Sequence, residues 1–426
     1  MRGLLLWDGG RRWFLPRVLV LFTCGCVVMF AFGATWVGSW KMALDQATGG
    51  VFLLGAASAG LAAWTYARMR AEAWDRLTAG SARGLRGWIA PLLGICTAAL
   101  VALGGCVLLA TTMASLAGSR AAPITLGMTV QPASALICLT VLGATLGSLM
   151  NGWAAAPLAA TAALLLAVLS DSGLLPGLFR TGGVTGALQA QTFDRGVLGW
   201  QSAVLISVAA LLLLVLASHT VPGVRRPVLA GLAVVPLLIA VVGWHELGTR
   251  GHERYRIQAG TPALTCAGTR PRVCLSVDTA RPLEALAAEL HRQAGPLTAV
   301  GAVVPETFQQ LLFTPVPAGT GLILLTRDEQ LSRTPAPSSA SLSLAIPRDC
   351  PAYSAGRPPE RALAVRGVLV DWIGSRNGVR ATLSDGSPAE RAWLGLPVAE
   401  QAAWVRDTYR KLSACELTTL TLPYRR

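Results

Sequence analysis

The chain has 426 residues, 53% of them apolar and 14% charged, with a formal net charge of +14 and a mean hydropathy of +0.53. A soluble domain of this size carries about 25% charged residues, so a wholly water-soluble protein is excluded. Charge is also unevenly placed: residues 1–244 hold 15 Arg/Lys and 6 Asp/Glu, whereas residues 245–426 hold 21 and 16. A membrane-embedded half is therefore followed by a half with the charge density of a soluble domain.

A spanning helix needs about 20 predominantly apolar residues, so the uncharged runs between ionisable side chains count the spans. After an amphipathic stretch at 1–15, seven runs qualify: 16–38, 50–67, 88–114, 131–150, 154–170, 200–218 and 227–244. The fourth and fifth divide the charge-free stretch between Arg120 and Asp171 at the turn signal Asn151-Gly152.

Short cytoplasmic loops keep Lys/Arg and translocated loops lose them. With the N-terminus inside, the inner segments own eleven basic residues and the outer loops four, Lys41, Arg120, Arg180 and Arg195. Seven spans then put residues 245–426 outside the cytoplasm. The cysteines point the same way. Cys24, Cys26, Cys96, Cys106 and Cys138 fall within spans, where a thiol packs as a small hydrophobe. The other four, Cys266, Cys274, Cys350 and Cys415, all belong to the C-terminal part, an even number that suits disulfides in an oxidising compartment. Of the three possible pairings, Cys266 with Cys274 and Cys350 with Cys415 are expected.

In that part Arg272–Val277, Ala299–Val304, Gly321–Leu325 and Ser341–Ile346 read as strands. Asp278 is the expected N-cap of a helix carrying Leu283, Leu286 and Leu290, with Pro282 in its first turn. Segments 358–375 and 397–414 have helical spacing, and 333–340 reads as a loop. The expected fold is thus a polytopic α-helical membrane protein of seven transmembrane helices with a small disulfide-stapled α+β extracytoplasmic domain at 245–426.

Catalytic motifs are absent. The only lysines, Lys41 and Lys411, follow Trp40 and Arg410, so no Gly-Lys-Ser/Thr phosphate loop can be written. His245-Glu246 opens like a zinc-protease motif, but the next histidine is His252, off the required helical face. No catalytic residue, metal or cofactor is expected, and membrane topology accounts for much of the basic excess without nucleic acid. None of the seven runs contains an ionisable group. Because such groups are costly in a membrane and mark ion-coupled carriers, an ion-driven carrier is disfavoured. An externally driven permease, a scaffold or sensor, and a membrane enzyme remain.

Three features carry a resemblance. They are the N-terminal Met-Arg-Gly-Leu-Leu-Leu-Trp-Asp-Gly-Gly-Arg-Arg-Trp-Phe, the inner loop from Ala67 to Arg86, and a Gly-rich outer loop at 171–199 containing Pro176. Together they resemble the elbow helix, the coupling helix and the outer re-entrant segment of ABC-2-type exporter permeases. The resemblance covers about 220 residues. It implies a bacterial plasma-membrane subunit, paired with a second copy or a similar subunit and driven by a separate cytoplasmic ATP-binding subunit. In the coupling loop, Arg68, Arg70, Glu72, Asp75 and Arg76 would contact that subunit. The family commonly stops after six spans, and the added tail, with Cys266-Ala-Gly-Thr-Arg-Pro-Arg-Val-Cys274, looks like a C-terminal module of actinobacterial membrane proteins. The alternative is a membrane-anchored sensor or scaffold whose external domain binds an envelope ligand or partner.

Overall fold

The computed structural model describes residues 2–31, 36–37, 39–72, 84–117, 128–150, 152–175, 177–182, 188, 191–220, 226–250, 254–257, 263–277, 282–310, 316–325, 329, 336–351, 359–379 and 386–424. The chain divides into Met1–Arg256 and Ile257–Arg426. The first unit contains α1 (Arg2–Ala31), α2 (Trp40–Gly49), α3 (Val51–Ala71), α4 (Gly84–Leu116), α5 (Val130–Leu149), α6 (Ala155–Asp171), α7 (Arg195–Thr220) and α8 (Arg226–Arg250). Two short paired strands, β1 (Gln191–Phe193) and β2 (Tyr255–Ile257), close it.

Among the described residues, six helical stretches are long and apolar enough to cross a membrane. The fifth expected span, α6, has 17 residues and sits at the lower length limit of about 17. The first and second spans also differ from expectation. The helix of α1 runs unbroken through Pro16, so the amphipathic stretch 1–15 and the first span form one rod. A proline inside a helix costs one backbone bond, and a membrane helix accommodates it where neighbouring groups satisfy the freed carbonyl. The second span is not confined to 50–67: α2 and α3 run almost end to end as one 32-residue apolar stretch from Trp40 to Ala71, joined at Gly50, which keeps right-handed helical dihedrals. Ser39 starts α2, its hydroxyl accepting from the Met42 amide at 3.5 Å. As a result Asp45 lies inside a candidate span, contrary to the expectation that none holds an ionisable group.

Helix packing relies on small residues. α3 and α5 meet along Ala59 and Ala63 on one side and Gly143 and Gly147 on the other, and α6 adds Ala155, Ala159 and Ala163 against the same helix. Small side chains let helix backbones approach where apolar burial gives no driving force. Side-chain bonds tie helix ends together at both poles. At one pole Trp40 donates to Ser115 Oγ (2.9 Å), Gln46 to the Val28 carbonyl (3.3 Å) and Gln131 to the Leu178 carbonyl (2.7 Å). At the other, Tyr66 donates to the Trp88 carbonyl and Arg70 to the Ser148 carbonyl.

The boundary between units falls after Arg256 rather than at residue 244. α8 continues to Arg250, and residues 254–256 remain with the first unit because Arg254 and Tyr255 engage Asp45.

The second unit is α+β. Its four-stranded sheet has the order β3 (Leu264–Ala267), β4 (Arg272–Ser276), β5 (Thr307–Gln310), β6 (Gly321–Ile323), with an antiparallel first pair and parallel pairs after it. Five helices accompany it: α9 (Leu283–Ala299), α10 (Pro337–Leu344), α11 (Glu360–Arg376), α12 (Pro388–Leu394) and α13 (Val398–Ser413). Their core includes Val273, Leu275, Leu286, Leu290, Phe308, Trp372 and Tyr409.

Two expected strands are corrected. Ala299–Val304 is the end of α9 and an extended exit, because Gly301 turns the chain at φ +79°, and the next strand is the more polar Thr307–Gln310. Ser341–Ile346 begins inside α10: its Ser/Leu alternation mimics a strand, yet Ser341 and Ser343 are both buried, bonding Gln293 (2.6 Å) and the Ser339 carbonyl (2.7 Å). That helix also takes the end of the expected loop 333–340. α9 starts after Pro282 rather than before it, and Asp278 lies outside the described residues.

Candidate functional site

α2 carries Lys41 and Asp45 one turn apart, and eight of its ten residues are buried, Asp45 among them at 2% exposure. An unpaired carboxylate there would be costly. The residues after α8 supply partners: Tyr255 donates its hydroxyl to Asp45 Oδ1, and Arg254 Nη1 lies 3.6 Å from the same oxygen. Arg254 is itself only 2% exposed.

The strands hold this cluster in place. The Asp194 amide donates to the Arg254 carbonyl at 2.9 Å, and Asp194 Oδ1 caps α7 through the amides of Gly196 (2.9 Å) and Val197 (3.2 Å). The Phe193 and Tyr255 rings pack at 4.9 Å, and Lys41 donates to the Gln191 carbonyl at 3.0 Å. Around the other side of Asp45, the chain after α6 closes in at Gly182. A β-carbon on Gly182 would lie 2.1 Å from the Asp45 carbonyl oxygen and 2.6 Å from Thr48 Oγ1, so only glycine fits.

That chain folds back into the bundle. The Phe179 amide donates to Ser170 Oγ (3.3 Å), Gln201 grips the Gly177 carbonyl (3.1 Å) and Gln131 the Leu178 carbonyl. Leu178 is buried with Val51 and Leu54 of α3. Three basic residues thus gather near one interior carboxylate, with Arg180 also 3.5 Å from Asp171. Burial lowers the pKa of Arg254 to about 10; Asp45 opposes the shift and Arg180 adds to it. The guanidinium is still charged at neutral pH.

The cysteines pair as expected. Cys266 and Cys274 face each other across β3 and β4, and Cys350 joins Cys415 just beyond α13. Cys24, Cys26, Cys96, Cys106 and Cys138 are free. In the loop expected to couple to an ATPase, Arg68 pairs with Glu72 at 2.7 Å on the surface, and Arg70 turns to the end of α5. Asp75 and Arg76 lie outside the described residues. Among the described residues, no cluster of three or more metal-ligating side chains occurs.

Asp45, Arg254 and Tyr255 escape a count of charge-free runs because that count ends a span at each charge. The available signal is the apolar continuity of Ala43, Leu44 and Ala47 around Asp45 behind the Ser39 cap. Comparison of the chain with family models, with curated proteins and with solved structures returned no match.

Proposed function

We propose that the first unit is a permease-like subunit of an export system, energised by a separate ATP-binding subunit. In this reading all seven apolar helices cross the membrane, which leaves the second unit on the side opposite the N-terminus. The observation that carries it is the segment 177–182, which lies against the helices and is held by Gln131 and Gln201. Such a segment suits the outer re-entrant element of an exporter permease. The surface pair Arg68–Glu72 at the opposite pole offers charge to a partner, and the basic inner segments favour a cytoplasmic position for that pole. Two cysteine pairs in the second unit suit an oxidising compartment outside a bacterial plasma membrane.

The test is an affinity pull-down of the full-length protein from its native membrane in mild detergent. A stoichiometric ATPase is expected, lost when Arg68→Glu and Arg76→Glu are combined. Association that survives the charge reversal removes the coupling loop from the reading. A second reading, a sensor or scaffold, is favoured by the separate core of the second unit; recovery of envelope proteins and no ATPase would select it.

A further inference from the structure

The guanidinium of Arg254 presents five N–H donors in a planar fork. All three of its nitrogens are buried, and among the described residues none has a hydrogen-bond partner. Its nearest counter-charge, Asp45 Oδ1, lies at 3.6 Å, beyond hydrogen-bonding reach, and that oxygen already accepts from Tyr255. Asp45 therefore offsets the charge of Arg254 without satisfying its donors. An unsatisfied buried donor is costly, so the guanidinium leaves a demand for acceptor oxygens at one point.

Further positive charge surrounds that point. The field of Arg180 acts on Arg254, and Lys41 is anchored one turn before Asp45 on α2. A guanidinium with unmet donors takes acceptor oxygens, and its charge favours an anionic acceptor over a neutral one. An anion with two or more oxygens meets both demands, because it can take the fork of a guanidinium bidentately.

We infer that Arg254 anchors a binding site for an oxyanion, the carboxylate or phosphate group of a ligand, for which Asp45 is the resident competitor. The site rests on the geometry of Arg254 and stands whether or not an ATPase drives the protein. Since the nitrogens are sealed from solvent, the ligand reaches them by parting the cover that Gly182 and β2 form over α2. Tyr255 keeps Asp45 in place when the guanidinium turns to the ligand. The same chemistry is offered by a free oxyanion and by a phospholipid headgroup.

Full-length protein in neutral detergent is titrated with inorganic phosphate against chloride at equal ionic strength, with the unfolding temperature as readout. In parallel, nanodiscs of phosphatidylglycerol are compared with phosphatidylcholine. A saturable rise in unfolding temperature with phosphate assigns a free oxyanion, and a rise only with phosphatidylglycerol assigns a headgroup; either supports the site. Arg254→Gln is expected to abolish the rise. Asp45→Asn, which removes the competitor and keeps the shape, is expected to lower Kd about tenfold, equivalent to about 1.4 kcal/mol. It carries the test if the Arg254 variant does not fold. No rise with either probe, a rise that persists in folded Arg254→Gln protein, or an unchanged or weaker Kd in Asp45→Asn overturns the inference.

Discussion

Gly143 lies so close to Ala59 that a β-carbon on the glycine would stand 2.1 Å from the Ala59 carbonyl oxygen, and Gly147 repeats the relation with Ala63 at 2.2 Å. The obstacle in both cases is helix backbone, which cannot swing away as a side chain can. Gly143→Ala and Gly147→Ala are each expected to force α3 and α5 apart and to destabilise the first unit by about 1–3 kcal/mol. Thermal unfolding in detergent checks this, with Gly94→Ala, whose β-carbon meets open space, as the neutral control.

Removing the two disulfides should have unequal effects. Cys350 and Cys415 are 65 residues apart, Cys266 and Cys274 only 8. Loop-closure entropy then assigns about 4 kcal/mol to the long bridge and about 2.5 to the short one. Denaturant unfolding of the double alanine variants, compared at equal protein concentration, measures the order; equal losses would contradict the entropic account.

Glu289 gives the second unit an acid-sensitive contact. Its carboxylate accepts from Arg292 Nε at 3.0 Å and from Gln293, which in turn accepts from the buried Ser341. The bond from Arg292 holds its pKa below the usual carboxylate range, against an opposing effect of burial. A depressed folded-state pKa contributes stability above the unfolded value of about 4.3 and loses it as pH falls through the folded value. Arg292 is half exposed, so the contribution is under about 1 kcal/mol. Glu289→Gln should lower neutral stability by under about 1 kcal/mol and flatten the further loss of unfolding temperature below pH 5 by the same amount.

Gln131 and Gln201 should behave alike. Each amide satisfies a carbonyl of the returning segment, and Gln→Leu at either position leaves that carbonyl buried and unpaired, at about 1–3 kcal/mol. Hydrogen exchange localised to residues 177–182 would rise in both variants; unchanged protection there would show that the apolar contacts of Leu178 alone hold the segment.

The apolar runs, the presence of disulfides and the helices at 360–376 and 398–413 were legible because each follows from local pattern: absence of charge, parity of cysteines, a 3.6-residue stripe. The polar cluster was not, because its members are far apart in sequence and because Asp45 resembles a loop residue until its partners are known. The same limit explains β5, where Gln309 and Gln310 are buried although polar, with Gln310 Oε1 accepting from the Ser276 amide. It also explains α10, whose buried serines find partners on α9 and within their own helix. In each case tertiary hydrogen bonding overrides what composition suggests.

The tie between α2 and the chain after α8 also sets an order for biogenesis. Tyr255 follows Asp45 by 210 residues, which at about 5–20 residues per second of synthesis separates them by roughly ten to forty seconds. Throughout that interval the second span carries its carboxylate into apolar surroundings without Arg254 or Tyr255. The last residues of the first unit to be made thus complete a contact whose other half lies near its start.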